Sequence, residues 1–158
     1  MRIERVTTEA DLERMTDWMY RWWGQAEGYA RDAVRESLRH SLQTDRLPVT
    51  FGLYLDDRLV GMYQFTYADL FVRPDLYPWL ANVYLDPAFR GRGLGRALLC
   101  SVRENAAALG IPTLYLFTET NGLYERFGWE FAGEIETYLT PHRQRLYRLS
   151  TGIGSPPA

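Results

Sequence analysis

The chain carries almost no sulfur or imidazole chemistry. Its 158 residues include one cysteine, Cys100, so no disulfide can form within it. That fits a reducing compartment, and the cytoplasm is the expectation. Two histidines, His40 and His142, stand far apart with no flanking ligand pattern, so no metal site is expected. A basic excess is missing as well. The formal net charge is −2, which argues against nucleic acid and against an anionic membrane surface as partners. No apolar run approaches the ~20 residues that cross a bilayer. Met1 to Tyr20 is broken throughout by Arg, Glu and Asp, so no signal peptide is expected. There is no internal repeat and no linker long enough to separate domains. Residues 1–149 are therefore expected to form one domain, followed by a flexible Gly/Pro/Ser-rich tail over 150–158.

Aromatic side chains are plentiful, at 15% with five tryptophans, and some are expected to line a pocket as well as fill the core. An apolar share of 46% beside a charged share of 24% is that of a globular domain. Periodicity divides the chain into alternating elements. Ile3–Thr7 reads as a strand, with Thr7 or Thr8 capping a helix that carries Leu12, Met15, Trp18, Met19 and Trp22 on one face. A second helix is expected over Arg31–Leu42. Val49–Leu55 and Arg58–Tyr67 read as a hairpin around Asp56-Asp57. The stretch 68–78 reads as a loop. Trp79–Leu85 is an apolar strand, Leu94–Leu109 a helix stopped by Gly110 and Pro112, and Thr113–Phe117 a strand. Strand, helix, strand in this order makes a βαβ unit, so these two strands should be parallel. A short helix is expected over Asn121–Phe127, then an antiparallel pair, Glu130–Leu139 and Arg143–Leu149, around Pro141-His142.

Between the strand ending at Leu85-Asp86-Pro87 and the helix lies Arg90-Gly91-Arg92-Gly93-Leu94-Gly95-Arg96. Glycines let backbone N–H groups converge without Cβ obstruction. A helix start adds unpaired N–H donors and the positive dipole end. Three arginines add full charge and forked donors. The segment suits a phosphate group. It is not a P-loop, because no Gly-Lys-Ser/Thr follows a four-residue gap. It is not a dinucleotide fingerprint either, because Arg96 or Leu98 stands where glycine or alanine is required.

Arg90-Gly91-Arg92-Gly93-Leu94-Gly95 matches the Arg/Gln-x-x-Gly-x-Gly/Ala motif of the GCN5-related N-acetyltransferases, the GNAT superfamily. The lead-in Val83-Tyr84-Leu85-Asp86-Pro87 and the downstream Asn121-Gly122-Leu123-Tyr124-Glu125-Arg126-Phe127-Gly128-Trp129 also resemble that family, as does the element order over about residues 1–149. The resemblance implies an α/β (α+β) fold: a mixed, mostly antiparallel central sheet, a parallel βαβ pair splayed at an acetyl-CoA cleft, and about four flanking helices.

It further implies that Arg90, Gly91, Arg92, Gly93, Leu94, Gly95 and Arg96 hold the pyrophosphate of acetyl-CoA. The backbone of Val83, Tyr84 and Leu85 would pair with the pantetheine arm, as an added strand does. Asn121 would bond the same arm, or cap the following helix. Tyr124 would be the general acid to the leaving thiolate, since a phenol with pKa near ~10 can donate to it. Packing on Phe127 and Trp129 is the other role open to it. Many relatives carry a glutamate base on the strand before the turn, but Leu80-Ala81-Asn82-Val83 holds no acid. Glu119 is the nearest acidic candidate, with Asp69, Asp75 or a water chain as alternatives. A strand N–H near Leu85 would serve the oxyanion. Cys100 falls off the apolar stripe of its helix and is expected to be a bystander.

The reaction so implied is acetyl transfer from acetyl-CoA to a primary amine of a small molecule or peptide by direct attack. The acceptor is expected among Trp22, Trp23, Asp69 and Trp79, since aromatic walls with a few acids suit an ammonium group. The alternatives are a non-enzymatic acyl-CoA-binding or regulatory module, or a transferase with another donor or acceptor. Acetyl-CoA and an amine are the expected partners, without nucleic acid or membrane and with a homodimer left open.

Overall fold

Thr8 sets where the first helix begins. Its hydroxyl oxygen accepts from the Asp11 N–H at 3.2 Å, and helix α1 follows over Glu9–Met19. Leu12, Met15, Trp18 and Met19 lie along its buried face. The helix then widens into one π-helical turn, Tyr20–Gly24, instead of continuing as α-helix through Trp22. The computed structural model describes residues 1–138 and 142–154. It divides into two compact units, one of Met1–Phe65 with Asn82–Leu98, the other of Thr66–Ala81 with the residues from Leu99 onward.

The first unit pairs β1 (Arg2–Arg5), β2 (Val49–Leu55) and β3 (Arg58–Thr66) in that order, all antiparallel. Asp56 and Asp57 join β2 to β3 with φ of 47° and 61°, the two positive values of a type I′ hairpin turn. Helix α2 (Arg31–Arg39) packs on α1, and Val34 and Leu38 join Leu12, Met15 and Met19 in one core cluster. On the exposed side of the same pair, Arg31 reaches Asp17 and Glu13, and Arg35 reaches Glu9 and Glu13.

Strand β4 (Trp79–Leu85) begins in the second unit and ends in the first. It is buried through Ala81 and only half-buried from Asn82 on. The second unit arranges β4, β5 (Thr113–Thr118), β7 (Arg143–Ser150) and β6 (Glu130–Glu136) in that order. β4 and β5 run parallel, with Trp79 opposite Tyr115, as the strand–helix–strand order predicts. The β5–β7 and β6–β7 pairs are antiparallel. Leu70, Trp79, Ile135 and Leu146 form the core here. Helix α3 (Leu94–Ala108) connects β4 to β5. The mixed strand set, mostly antiparallel with β4–β5 a parallel pair, agrees with the expected fold class.

Among the described residues three α-helices form, where about four flanking helices were expected. Residues 121–127 hold only a 3-10 turn, Tyr124–Phe127: Gly122 at φ 83° is not helical, so the turn starts after Leu123, and Gly128 ends it in the left-handed conformation. Past β7, Thr151 is buried, and its hydroxyl donates to the Ile111 carbonyl at 2.7 Å. Pro141 of the expected β6–β7 turn, and residues 155–158 of the expected tail, lie outside the described residues. Among the described residues, no helix is long and apolar enough to cross a membrane.

Candidate active site

The arginine- and glycine-rich turn belongs to the first unit. Asp86 opens it: its carboxylate accepts from the Ala88 N–H at 3.0 Å and starts a 3-10 turn over Pro87–Phe89. Gly91 and Gly93 then take φ of 77° and 76°, a region costly to any residue with a Cβ. A Cβ at Gly91, Gly93 or Gly95 would meet nothing within 4 Å, so no neighbouring atom crowds these three positions. Helix α3 starts at Leu94, and its first intrahelical-type bond runs from the Ala97 N–H to the Gly93 carbonyl at 3.2 Å. Helix geometry leaves the N–H groups of Leu94, Gly95 and Arg96 free of intrahelical carbonyls. No acid caps this end. An open turn, free N–H donors, the positive end of a dipole and arginines make an anion cradle.

The arginines differ in their surroundings. Arg90 Nε donates to the Leu85 carbonyl at 2.9 Å, and its guanidinium lies 5.7 Å from the Tyr84 ring centre. Arg92 reaches the Ala88 carbonyl at 3.3 Å. Arg96 is exposed. Leu85, proposed from sequence as a strand edge for the pantetheine arm, thus has one carbonyl lone pair already engaged.

Aromatic side chains gather on Tyr84 at the accessible end of β4. Trp18 and Trp22 lie 5.2 and 5.6 Å from its ring. Trp22 is 51% exposed, whereas Trp18 is buried. Trp23 turns the other way. Its Nε1 donates to Asn82 Oδ1 at 3.2 Å, and the Asn82 amide donates to Gln64 Oε1 at 2.6 Å. Gln64 Nε2 in turn donates to Ser41 Oγ and Thr50 Oγ1. Asn82 itself takes φ 50°, a break in the strand that Asn tolerates better than most residues. In the sequence Asn82 stands out only as a residue that is not an acid. The structure makes it the hub of a buried polar chain, with both ends of its amide bonded.

In the second unit Tyr124 opens the 3-10 turn. Its ring meets Trp129 edge-on at 6.1 Å and lies 6.0 Å from Tyr147. Among the described residues its hydroxyl accepts and donates no hydrogen bond, and burial pushes its pKa up. Glu125 in the same turn accepts from the buried Tyr147 hydroxyl at 2.7 Å, and that hydroxyl accepts from Arg145 Nε at 2.7 Å. The Glu125–Tyr147 bond anchors the turn to β7, and Arg145 within β7 supports the Tyr147 hydroxyl. The Tyr147 bond, foremost, holds the Glu125 carboxyl below the usual range.

Other expected residues fall as follows. Glu119 is exposed just past β5, and Asn121 is exposed and does not cap the turn, which starts after Leu123. Asp69 is exposed on the 66–78 loop. Asp75, an alternative base, is paired with Arg73 at 2.6 Å, and that partner lowers its pKa, which suits a structural pair better than a base. Trp79 corrects the sequence expectation. It is fully buried against Tyr115 and Phe117, so it lines no open acceptor surface. Its neighbours in the core come from β5, far away in sequence. Cys100 is exposed and free. Among the described residues there is no group of His, Cys, Asp and Glu able to hold a metal.

Comparison with known proteins bears on both units. Residues 12–129 match the model of the Acetyltransferase (GNAT) family. Over 96 residues the chain is 32% identical to the spermine/spermidine N(1)-acetyltransferase of Bacillus subtilis (strain 168), a stretch that makes up 54% of this chain and 61% of that protein. The match thus spans about three-fifths of that relative's length. Among solved structures, an aminoglycoside 6'-N-acetyltransferase complexed with coenzyme A superposes with a TM-score of 0.75 at 15% identity, covering 99% of this chain and 100% of that one. The ribosomal-protein-S18-alanine N-acetyltransferase of Escherichia coli gives 0.66 at 19% identity, covering 99% and 97%. Likeness at these identities establishes the shared fold.

Proposed function

The chain belongs to the acetyltransferase (GNAT) family, and from that premise we propose that it transfers the acetyl group of acetyl-CoA to a primary amine. Residues 1–149 serve as one N-acetyltransferase domain acting in the cytoplasm. The observation that carries the reading is the turn at 90–96: two positive-φ glycines, a helix start with no acid in its first turn and arginines without carboxylate partners among the described residues. Such a turn receives a pyrophosphate. The half-buried end of β4, Val83 to Leu85, offers backbone to an extended amide arm. Asn121 is a further polar group for that arm.

In the proposed chemistry a neutral amine attacks the thioester carbonyl, the C–N bond forms and the C–S bond breaks. The Tyr124 hydroxyl gives its proton to the departing thiolate. A phenol raised in pKa by burial stays protonated at neutral pH and is ready to do so. Glu119 is the proposed acceptor of the proton that the amine loses. Trp22 over Tyr84, with Trp23 and Asp69, is proposed to meet the acceptor. A small polyamine is the first candidate, because the matched relative is named for spermine and spermidine and an exposed indole suits an ammonium group.

The test is thiol release from acetyl-CoA against polyamines, aminoglycosides, amino acids and peptides. Turnover with an amine supports the reading. CoA binding without turnover across that panel replaces it with the acyl-CoA-binding alternative.

A further inference from the structure

β3 starts at Arg58, directly after the Asp56-Asp57 turn. That end of the hairpin lies against the loop leading into the arginine- and glycine-rich turn, because the Asp86 N–H donates to the Val60 carbonyl at 2.9 Å. The Arg58 guanidinium consequently sits 5.3 Å from the Phe89 ring centre, and the Arg92 guanidinium sits 5.4 Å from the same ring. A ring face orients a guanidinium but satisfies none of its five N–H donors in the way an acceptor does. Among the described residues neither arginine has a carboxylate partner. Elsewhere the arginines are mostly paired: Arg2, Arg31, Arg35, Arg39, Arg73 and Arg148 all reach an acid. The carboxylate of Asp57, next to Arg58, is drawn to Arg2 at 2.7 Å. Two like charges held near one ring, with most of their forked donors free beyond the one bond from Arg92 to the Ala88 carbonyl, form a receptor for a multiply charged oxyanion.

The geometry points to a second anion subsite, in which Arg58 and Arg92 flanking Phe89 bind the 3'-phosphate of coenzyme A. The inference rests on the reading of the 90–96 turn as the pyrophosphate cradle. In coenzyme A a single ribose separates the pyrophosphate from a phosphate monoester, and a monoester carries roughly −1.5 to −2 charges at neutral pH. Arg92 belongs to the turn and Arg58 does not. Arg58 comes from a different hairpin, and only strand pairing brings it to Phe89. Its role is recognition of the nucleotide end, away from the reacting carbonyl.

Calorimetric titration of the full chain with CoA, 3'-dephospho-CoA and inorganic phosphate tests this, using the unaltered protein, Arg58→Ala and Arg58→Lys. Arg58 is exposed, and circular dichroism checks that both variants fold. The unaltered chain should bind CoA about tenfold or more tighter than 3'-dephospho-CoA, the strength of charge-assisted bonds to one phosphate. Arg58→Ala should shrink that ratio toward one while leaving the Kd for 3'-dephospho-CoA in place. Arg58→Lys should keep part of the ratio, as a point charge without the fork. A ratio unchanged by Arg58→Ala, or equal losses for both ligands, overturns the subsite. Loss of inorganic phosphate binding with the CoA ratio intact assigns the arginines to free phosphate and also overturns it. If the unaltered chain binds both coenzymes equally, the cradle stands and the subsite falls. If it binds neither, both fall together.

Discussion

The indole N–H of Trp23 donates to the side-chain oxygen of Asn82, which sits in a left-handed break of β4 at φ 50°. One bond thereby fixes the π-helical turn after α1 to the point where β4 passes from buried to accessible. Asn82→Ala removes it, leaves Gln64 Oε1 without its donor, and puts a Cβ residue with no compensating bond into a strained conformation. The expected loss is about 2–4 kcal/mol. Urea unfolding of the variant checks it, and a loss under about 0.5 kcal/mol would show the chain of bonds to be dispensable.

Trp22 and Trp23 should part company. Trp22→Ala exposes Tyr84 without emptying a core, so stability should hold while acceptor KM rises about threefold, the worth of an exposed cation–π contact. Trp23→Ala deletes a half-buried indole and its bond to Asn82 and should cost roughly 3 kcal/mol. Parallel melts and acceptor titrations separate the two outcomes.

Gly93→Asp should abolish CoA binding. The space for a Cβ is open, so the damage comes from φ 76° and from a carboxylate facing the pyrophosphate. Gly93→Ala carries only the backbone strain, of about 1–2 kcal/mol, and should keep measurable affinity. Equal CoA affinity for Gly93→Asp and the unaltered chain removes the cradle.

Tyr124→Phe should lower kcat by about a hundredfold, the lower range for a lost acid, and move the CoA Kd less than about twofold. Burial raises the Tyr124 pKa, so the protonated acid persists above the usual tyrosine range. The alkaline fall in kcat should therefore begin above about pH 10 for the unaltered chain and vanish in Tyr124→Phe. A pH–rate profile with an intact alkaline limb in the variant assigns that limb to another group.

The α1–α2 surface predicts the acid behaviour of stability. Hydrogen bonds from Arg35, then Arg31, hold the Glu13 carboxyl below its ordinary value of 4.5. A lowered pKa means the unfolded chain takes up the proton first as pH falls, so this contribution is present above about 4.5 and drains away below it. Tm measured from pH 7 to pH 3 should drop through that window in the unaltered chain. Glu13→Gln should flatten the drop, and high salt should blunt it, because the groups are exposed.

Most elements were legible because local chemistry agreed with the fold. Thr8 capped as its type and spacing demand, Asp56-Asp57 made the hairpin, and Trp79–Leu85 formed the strand leading into the glycine turn. Trp79 looked like a pocket wall because an aromatic beside a loop does, but burial depends on β5, which lies on the far side of α3 in sequence. The helix expected at 121–127 shrank to a single turn because Gly122 takes φ 83° and its start falls after Leu123, while its end at Gly128 is as expected.

Sequence alone determined the arginine- and glycine-rich turn from which donor binding is proposed. A phosphate turn is built from consecutive residues, so glycine spacing, arginines and a helix start can be read in order. Tertiary structure alone decided which groups flank that turn. Asn82 became a hub because Trp23 and Gln64 reach it from other elements, and Arg58 came to Phe89 because β3 runs beside the end of β4. Contacts of this kind depend on strand register and chain crossing, and a one-dimensional pattern of residues does not record them.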